Sequence, residues 1–575
     1  AAPRLTAAEE FARRKERAAA RRAELAEAGV EAPEAWRKLS WREIAERWDS
    51  MLPGCMYGLP FPPTREKLLE AGPAWLTKAL HAAGTLPESN AVKRFVGSHK
   101  LPLAGKDAAG GAGPKLFIEV EYEHPAPELH TDFFVKFPWG MGPGTPDDGD
   151  NPKWRLIITT SADTDGQEIM VYRYLSPLLP FRIPEFYFGD FNRASGNSIL
   201  ITERIKYAPK GAALGPYDIF PCASKFLDFE LPLKQRSDMY FLIMRSQARL
   251  AAWDKAGRFD CLPAGVRGGG PLPRVLEAFC HCPPWCVPIP GLSRKLAGMA
   301  AQLAGFVWVD AAALFPAAVR DEAFRPAALE LFESAGPWIG HAGSYILRDR
   351  DFCALQHLNL QADNIFFWRD AAGELDNGVL DWGGARQLPF AVAMLMALTS
   401  MEGALLAEHE RPLCELFAEE YAREGGPRID ARELLLQWRL LYACAVPFML
   451  ASQLDSIYED TPRHEWKTIT DRMEPRVMGK WTCRCFTFMI MASMDYLHAK
   501  WERGEDLRLL VREWRAEHGL ERQRLLPPVA WTLETTRRLS RMSCEWAQRS
   551  KARAAVVAVV AAYLVKRCLG LSLMF

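Results

Sequence analysis

Alternation of apolar and polar positions marks a sheet early in the chain. Leu116-Phe117-Ile118-Glu119-Val120-Glu121-Tyr122 alternates as a half-buried strand does. Phe133-Phe134-Val135-Lys136-Phe137-Pro138 reads as an apolar strand with one lysine, which is costly to bury unless paired. Ser198 to Ile205 reads as a further strand leaving a turn at Ala194-Ser195-Gly196-Asn197. Between these strands the period changes: Ile169, Tyr172 and Leu175 share one helical face, and Glu168 begins that run. Asp238 to Trp253 is a long helix. Ile365-Phe366-Phe367-Trp368 is a buried strand, Arg369 to Gly373 a turn, and Gly378-Val379-Leu380 a second strand. Beyond Trp382, apolar helices alternate with polar turns as far as about residue 540; Leu434 to Leu450 is one, expected to kink or break at Pro447.

The N-terminus has a different texture. Residues 1–28 are rich in Ala, Arg and Glu, with a capping box from Thr6 to Glu9 and a stop at Gly29. Few large apolar residues punctuate it, which predicts a solvated helix or a partner-binding arm. Ser40 and Glu43 start another helix by the same capping logic. The layout expected is a helical extension over 1–95, a sheet lobe over 96–205, and a helical lobe over 206–540. The helical lobe carries an insertion rich in Gly and Pro at about 254–345, and a tail follows at 541–575.

Composition narrows the class only slightly. At 575 residues, 49% apolar and 25% charged, the chain suits a soluble protein of two lobes plus extensions. Lys+Arg and Asp+Glu are both 71, so no net field calls for nucleic acid or an anionic membrane. The 13 cysteines form no even framework, which suggests a reducing, intracellular compartment. Starting at Ala1 without Met, the sequence leaves any removed targeting peptide invisible. Cys280, His281, Cys282 and Cys286, with Cys261 upstream, crowd zinc-ligand types, but no second clear pair follows; buried thiols are the expectation. Cys483 and Cys485 read as helix or core residues. Ala554 to Val565 is apolar but too short to span a bilayer, and Lys566-Arg567 interrupts it. A packed helix or a disordered tail is expected there rather than membrane contact.

The chemistry concentrates in His357-Leu358-Asn359-Leu360-Gln361-Ala362-Asp363-Asn364 and in Gly378-Val379-Leu380-Asp381-Trp382. Phosphoryl transfer asks a protein for positioning and charge neutralisation. An Asp on a short loop accepts the hydroxyl proton, an Asn five residues later binds magnesium, and a second Asp after a strand binds the metal that bridges the phosphates. Asn359 to Asn364 has that five-residue spacing, and Asp381 follows a strand. Oxygen ligands from Asn364 and Asp381 suit Mg²⁺. The carboxylate that should take the proton is missing, because Asn359 stands in its place. A glycine-rich loop, Ala104 to Gly113 with Gly110, Gly111 and Gly113, precedes the first strand and would let backbone N–H groups approach a phosphate.

These segments resemble the H-G-D-x-x-x-x-N and I-D-W pair of the aminoglycoside phosphotransferase and choline-kinase-like superfamily, nearest in flavour to its ecdysteroid-kinase-like branch. His357 matches the opening His; Leu358 and Asn359 replace the usual Gly and Asp; Trp382 is kept. The resemblance implies a two-lobed, protein-kinase-like α+β fold with a small antiparallel sheet lobe and a large helical lobe. It assigns Lys136 as the phosphate lysine and Glu168 as its ion-pair partner. It makes Glu203 to Ile205 the lobe-connecting hinge whose backbone would bind adenine. It implies ATP and Mg²⁺ as cofactors and a small-molecule hydroxyl as acceptor. Asn359 leaves three readings: a phosphotransferase, a nucleotide-binding pseudokinase serving as scaffold or regulator, and a structural subunit held through its terminal helices.

Overall fold

The first helix, α1 (Ala7–Ala28), begins at Thr6, whose hydroxyl accepts the Glu9 N–H while the Glu9 carboxylate returns to the Thr6 N–H. It ends at Gly29, where φ is 71°. This computed structural model describes residues 5–102, 113–222, 231–267 and 292–520. Everything discussed below lies in the first of two units, residues 1–509. The cysteine and histidine cluster at 280–286 and the apolar tail at 554–575 fall outside the described residues.

Helix α1, expected to be a solvated helix or a partner-binding arm, buries Arg14, Ala18 and Leu25 and docks on the rest of the chain. Its first N–H, from Ala7, donates to Asp370 Oδ2 at 2.7 Å. Buried Arg14 meets Asp376 at 3.2 Å, and Lys15 meets Glu424 at 2.7 Å. The Phe11 ring stacks on Trp253, with centroids 6.0 Å apart, and the Arg249 guanidinium also lies over it. The docked face is written in charges, small residues and one aromatic, so hydrophobic periodicity could not reveal it.

A short helix, α2 (Trp41–Ala45), and a two-strand ribbon, β1 (Leu52–Pro53) with β2 (Pro60–Phe61), lead to α3 (Arg65–Ala83). Thr64 caps α3, and Gly84 ends it in the left-handed region. Next comes an antiparallel sheet of five strands: β3 (Val92–Lys100), β4 (Lys115–Tyr122), β5 (Asp132–Lys136), β6 (Phe186–Phe191) and β7 (Ser198–Glu203). Their spatial order is β3-β4-β5-β7-β6. Leu68, Leu76 and Leu80 of α3 bury against Leu116, Ile118 and Val120 of β4 and Phe133 and Val135 of β5. The expected boundary at residue 95 is therefore corrected: α3 is one wall of the sheet lobe's core, and the sheet begins at Val92. Strand β3 escapes sequence reading because its outer positions are Lys93, Arg94, His99 and Lys100, the charged dress of an edge strand.

Helix α4 (Pro152–Ser161) and helix α5 (Thr164–Met170) lie between β5 and β6. The helical lobe starts at α6 (Leu233–Lys255). Helices α7 (Leu292–Gly305), α8 (Phe324–Ala335) and α9 (Ile339–Leu347) follow in the region expected to be an insertion. They pack on α12 (below), so this part belongs to the helical core. Two antiparallel ribbons come next. Strand β8 (Cys353–Gln356) pairs with β11 (Arg386–Pro389), and β9 (Ile365–Arg369) pairs with β10 (Leu375–Val379). Helices α10 (Phe390–Leu398), α11 (Gly403–Arg423), α12 (Ala431–Ala451), α13 (Leu454–Asp460), α14 (Pro475–Met478) and α15 (Trp481–Glu502) complete the lobe.

Helix α12 runs through Pro447 to Ala451, so the expected break is absent. Burial on nearly every side supplies the packing that outweighs proline's lost hydrogen bond. With α13 it forms the one stretch among the described residues long and apolar enough to cross a membrane; 83% of that window is buried in the protein, as in a core helix. Glu410, 1% exposed, ties α11, α12 and α15 together. It accepts from Lys500 Nζ at 2.6 Å, Tyr496 Oη at 2.6 Å, Trp438 Nε1 at 3.1 Å and Arg439 Nε at 2.9 Å.

Candidate active site

The cleft forms where the last residue of β5 meets the helical lobe. Lys136 Nζ lies 2.6 Å from Glu168 Oε2 on α5 and 2.7 Å from Asp381 Oδ1 beyond β10. The lysine that looked costly in its strand is thus held by two carboxylates. Burial alone would lower its pKa; Asp381 and then Glu168 outweigh that and raise it, so the ammonium is permanent. Glu168 moves the other way from an ordinary ion pair. Burial pushes its carboxyl up, Lys136 pulls it down, and the Asp381 carboxylate sharing the same ammonium pushes it up again.

Asp381 adopts the left-handed region, φ 59° and ψ 62°. That conformation is uncommon outside glycine and stores strain of about 1 kcal/mol, which the surroundings must hold. Two neighbours do so. The following Trp382 is fully buried, stacked on Phe181 at 5.7 Å and edge-on to His357 at 4.7 Å. Gly383 presses against α5: a Cβ there would sit 2.5 Å from Thr164 Cγ2, so only glycine lets the loop slide under the helix carrying Glu168.

The loop after β8 is held from three directions. Gln247 of α6 donates to the His357 carbonyl at 2.8 Å and accepts its N–H at 3.3 Å. His357 Nε2 lies 2.8 Å from the Leu380 carbonyl, and Nδ1 lies 3.2 Å from the Asn359 N–H. A carbonyl can only accept and an amide N–H can only donate, so His357 is neutral with its proton on Nε2. Burial pushes its pKa down to about 4, which agrees. Both ring nitrogens are spent on positioning; His357 joins the loop to the strand that delivers Asp381.

Asn364 completes the arrangement. Its Nδ2 donates to the Asn359 carbonyl at 2.8 Å, and its own carbonyl accepts the Leu380 N–H at 2.8 Å. Asn364 and Asp381 therefore stand together at the open end of the β9–β10 ribbon, opposite its turn, locked by backbone. With Nδ2 committed, Asn364 offers Oδ1. This oxygen and the Asp381 carboxylate fit a hard divalent cation whose other ligands are phosphate oxygens and water. Among the described residues no group of three or more His, Cys, Asp or Glu side chains is placed to hold a metal alone. Asn359 is half-buried. Asp363, the other carboxyl of the loop, lies near Cys222 and Tyr207.

The remaining expected residues divide. Gly110 and Gly111 lie outside the described residues. Gly113 has φ 134°, and a Cβ would fall 2.1 Å from the Phe137 carbonyl oxygen, so the loop's end is pressed onto the chain just past Lys136. Glu203 points its carboxylate at Arg182 and the Glu185 N–H. At the expected hinge, the N–H groups of Glu203 and Arg204 donate to the Glu185 and Asp132 carbonyls, and no backbone partner for the Ile205 N–H is found among the described residues. The Ile205 side chain packs on Phe366 and Trp368. Sequence reading missed Gln247, Arg182 and Gly383, which carry no local motif. It also missed the pair Phe117 and Phe134, half-buried on the same sheet face as Lys136 with rings 6.1 Å apart.

No family model matches the chain, and no curated protein matches it. Solved structures do. The GDP complex of wild-type aminoglycoside 2'-phosphotransferase-IIIa is 12% identical, with TM-score 0.31 over 64% of this chain and 89% of its own. The GDP and kanamycin complex of APH(2")-IIia gives 12%, TM-score 0.32, 65% and 90%. An aminoglycoside-3'-phosphotransferase of type VIII gives 17%, TM-score 0.27, 64% and 98%. Likenesses this distant carry no argument about activity. On its own sheet, helices and cleft, the chain has a two-lobed, kinase-like α+β fold.

Proposed function

We propose that the cleft binds MgATP and that the chain is an ATP-dependent phosphotransferase toward a small-molecule hydroxyl, working without the usual base. The observation that carries this is Lys136 held between Glu168 and Asp381. One cation fixed at the mouth of two lobes, with a metal-competent oxygen beside it, is what a triphosphate needs. Lys136 would neutralise phosphate oxygens, while Asn364 and Asp381 would hold the cation. Asn359 can orient an acceptor hydroxyl by accepting its hydrogen bond, but it takes no proton at neutral pH. Positioning and charge neutralisation supply most of the acceleration in a loose transition state, so slow transfer is compatible with an amide here.

A second reading, a nucleotide-binding pseudokinase, is favoured by one specific pair of observations. Asn359 replaces the base, and His357 beside it has both nitrogens committed. Thermal melting with MgATP tests what the two readings share. A rise is expected in the parent and should largely vanish in Lys136→Ala and in Asp381→Ala. No rise at millimolar MgATP would defeat both. Single-turnover transfer from labelled ATP in the parent then separates them: measurable transfer supports the enzyme, and none supports the pseudokinase.

A further inference from the structure

Four strands of the sheet set one row of residues side by side. His99 of β3 pairs with Phe117 of β4, Phe117 with Phe134 of β5, and Phe134 with Thr202 of β7. Directly opposed residues project on one face, and so do residues two apart on a strand. Phe134 stands two before Lys136, so the row lies on the face from which Lys136 reaches Glu168 and Asp381. Leu116, Ile118, Phe133 and Val135 belong to the opposite face and its α3-side core. Strand β5 runs from Asp132, beside the expected hinge, to Lys136. The row is therefore a strip of aromatic ceiling, set back from Lys136 toward the hinge by two residues of strand rise, roughly 7 Å.

Arg204, the residue after β7, crosses beneath this strip. Its N–H donates to the Asp132 carbonyl at 3.1 Å, and its place two after Thr202 turns its side chain to the cleft face. Its guanidinium carbon lies 3.9 Å from the centre of the Phe117 ring. Phe117 is on β4, two strands from β7, and neighbouring strands stand about 4.8 Å apart. The side chain makes that reach only by passing across β5 on the cleft side. Nearby carboxylates do not account for the placement: Glu119 is 4.0 Å away and half exposed, and Asp132 is taken by Lys206 at 2.5 Å. At 3.9 Å no second ring fits between the guanidinium and Phe117.

A purine that hydrogen-bonds at the Ile205 N–H and carries its phosphates to Lys136 has to lie along this path, with Arg204 between it and the aromatic row. Resting on the MgATP reading above, we propose that Arg204 is the base-stacking residue of the cleft, a planar cation backed by Phe117 that presents its other face to the nucleobase. Such stacking draws on the attraction of a π face for a cation, and it needs the guanidinium plane as well as the charge. The alternative is an arginine that merely covers Phe117.

Calorimetric titration of the intact chain with MgATP and with its base-free part, magnesium tripolyphosphate, tests this. Arg204→Ala should weaken MgATP by roughly twofold to thirtyfold, the range of a cation–π stack from exposed to desolvated, and leave tripolyphosphate unchanged. Arg204→Lys keeps the stem and the charge but loses the plane, and should bind MgATP as weakly as Arg204→Ala. Full affinity in Arg204→Lys, or an equal loss for tripolyphosphate, would make Arg204 a charge for the phosphates and overturn the inference. Unchanged affinity in both variants would reduce it to a cover for Phe117, and tighter binding in Arg204→Ala would make it an obstacle to the base. Each of these overturns the inference and leaves the MgATP reading standing; no MgATP binding in the parent would remove both. The Arg204 side chain is 33% exposed, so both variants should fold, which their melting without ligand checks.

Discussion

Asn359 and His357 carry opposite lessons at the scale of the residue. The amide at 359 is nearly isosteric with a carboxylate, and the loop around it is fully braced. Asn359→Asp should therefore restore a base without rebuilding the site, and turnover should rise by about 10² or more on the general-base scale. Transfer measured alongside nucleotide affinity checks this, since a new carboxylate near Asp381 would also loosen an anionic ligand. An unchanged or lower rate would mean the parent uses another geometry; loss in Asp363→Asn would then name the other loop carboxyl. His357 gives a pH prediction. Its folded pKa is about 4 against an ordinary 6.5. Between those values the unfolded chain binds a proton that the folded chain refuses, so stability rises with pH there. The contribution is whole above about 6.5 and lost as pH falls toward 4, on the order of 3 kcal/mol. Denaturant midpoints across this range should be visibly flatter in His357→Gln than in the parent.

Two packing arrangements make predictions at the level of elements. Helix α1 braces the β9–β10 ribbon at its turn, through Asp370 and Asp376, while the ribbon's other end holds Asn364 and Asp381. Removing residues 1–30 should raise hydrogen exchange over 365–379 and lower the melting temperature; unchanged exchange there would reduce the helix to a passenger. In the helical lobe, Glu410 of α11 is the shared acceptor for two further helices, α12 and α15. Glu410→Ala leaves Lys500 and Tyr496 buried around a void, and should cost about 3–5 kcal/mol in urea unfolding. Strand β4 was legible from alternation, β5 as an apolar run, β7 as a strand leaving a turn, and the helix of Glu168 from its period. Strand β3 and the docking of α1 were not, because charged edges and charged interfaces have no hydrophobic signature.

For the whole molecule, the cleft is spanned by the Lys136–Asp381 bridge, which links the sheet lobe to the helical lobe. A nucleotide seated on both should stabilise the lobes together rather than one of them. At a hundredfold excess over its dissociation constant the gain is about 2.7 kcal/mol. Calorimetry should show one transition moving upward with MgATP, and a shift confined to part of the unfolding enthalpy would place the ligand elsewhere. By itself the sequence determined the spacing of Asn359, Asn364 and Asp381, the apolar strand around Lys136, and the capped ends of α1. Those are local matters: side-chain chemistry, periodicity and caps act over a few residues. Only the tertiary structure decided that Lys136 faces Asp381 across 245 positions and that Gln247 and His357 lock the loop. Pairings of that range depend on strand register and on which faces meet when two lobes close, and no stretch of residues encodes them alone.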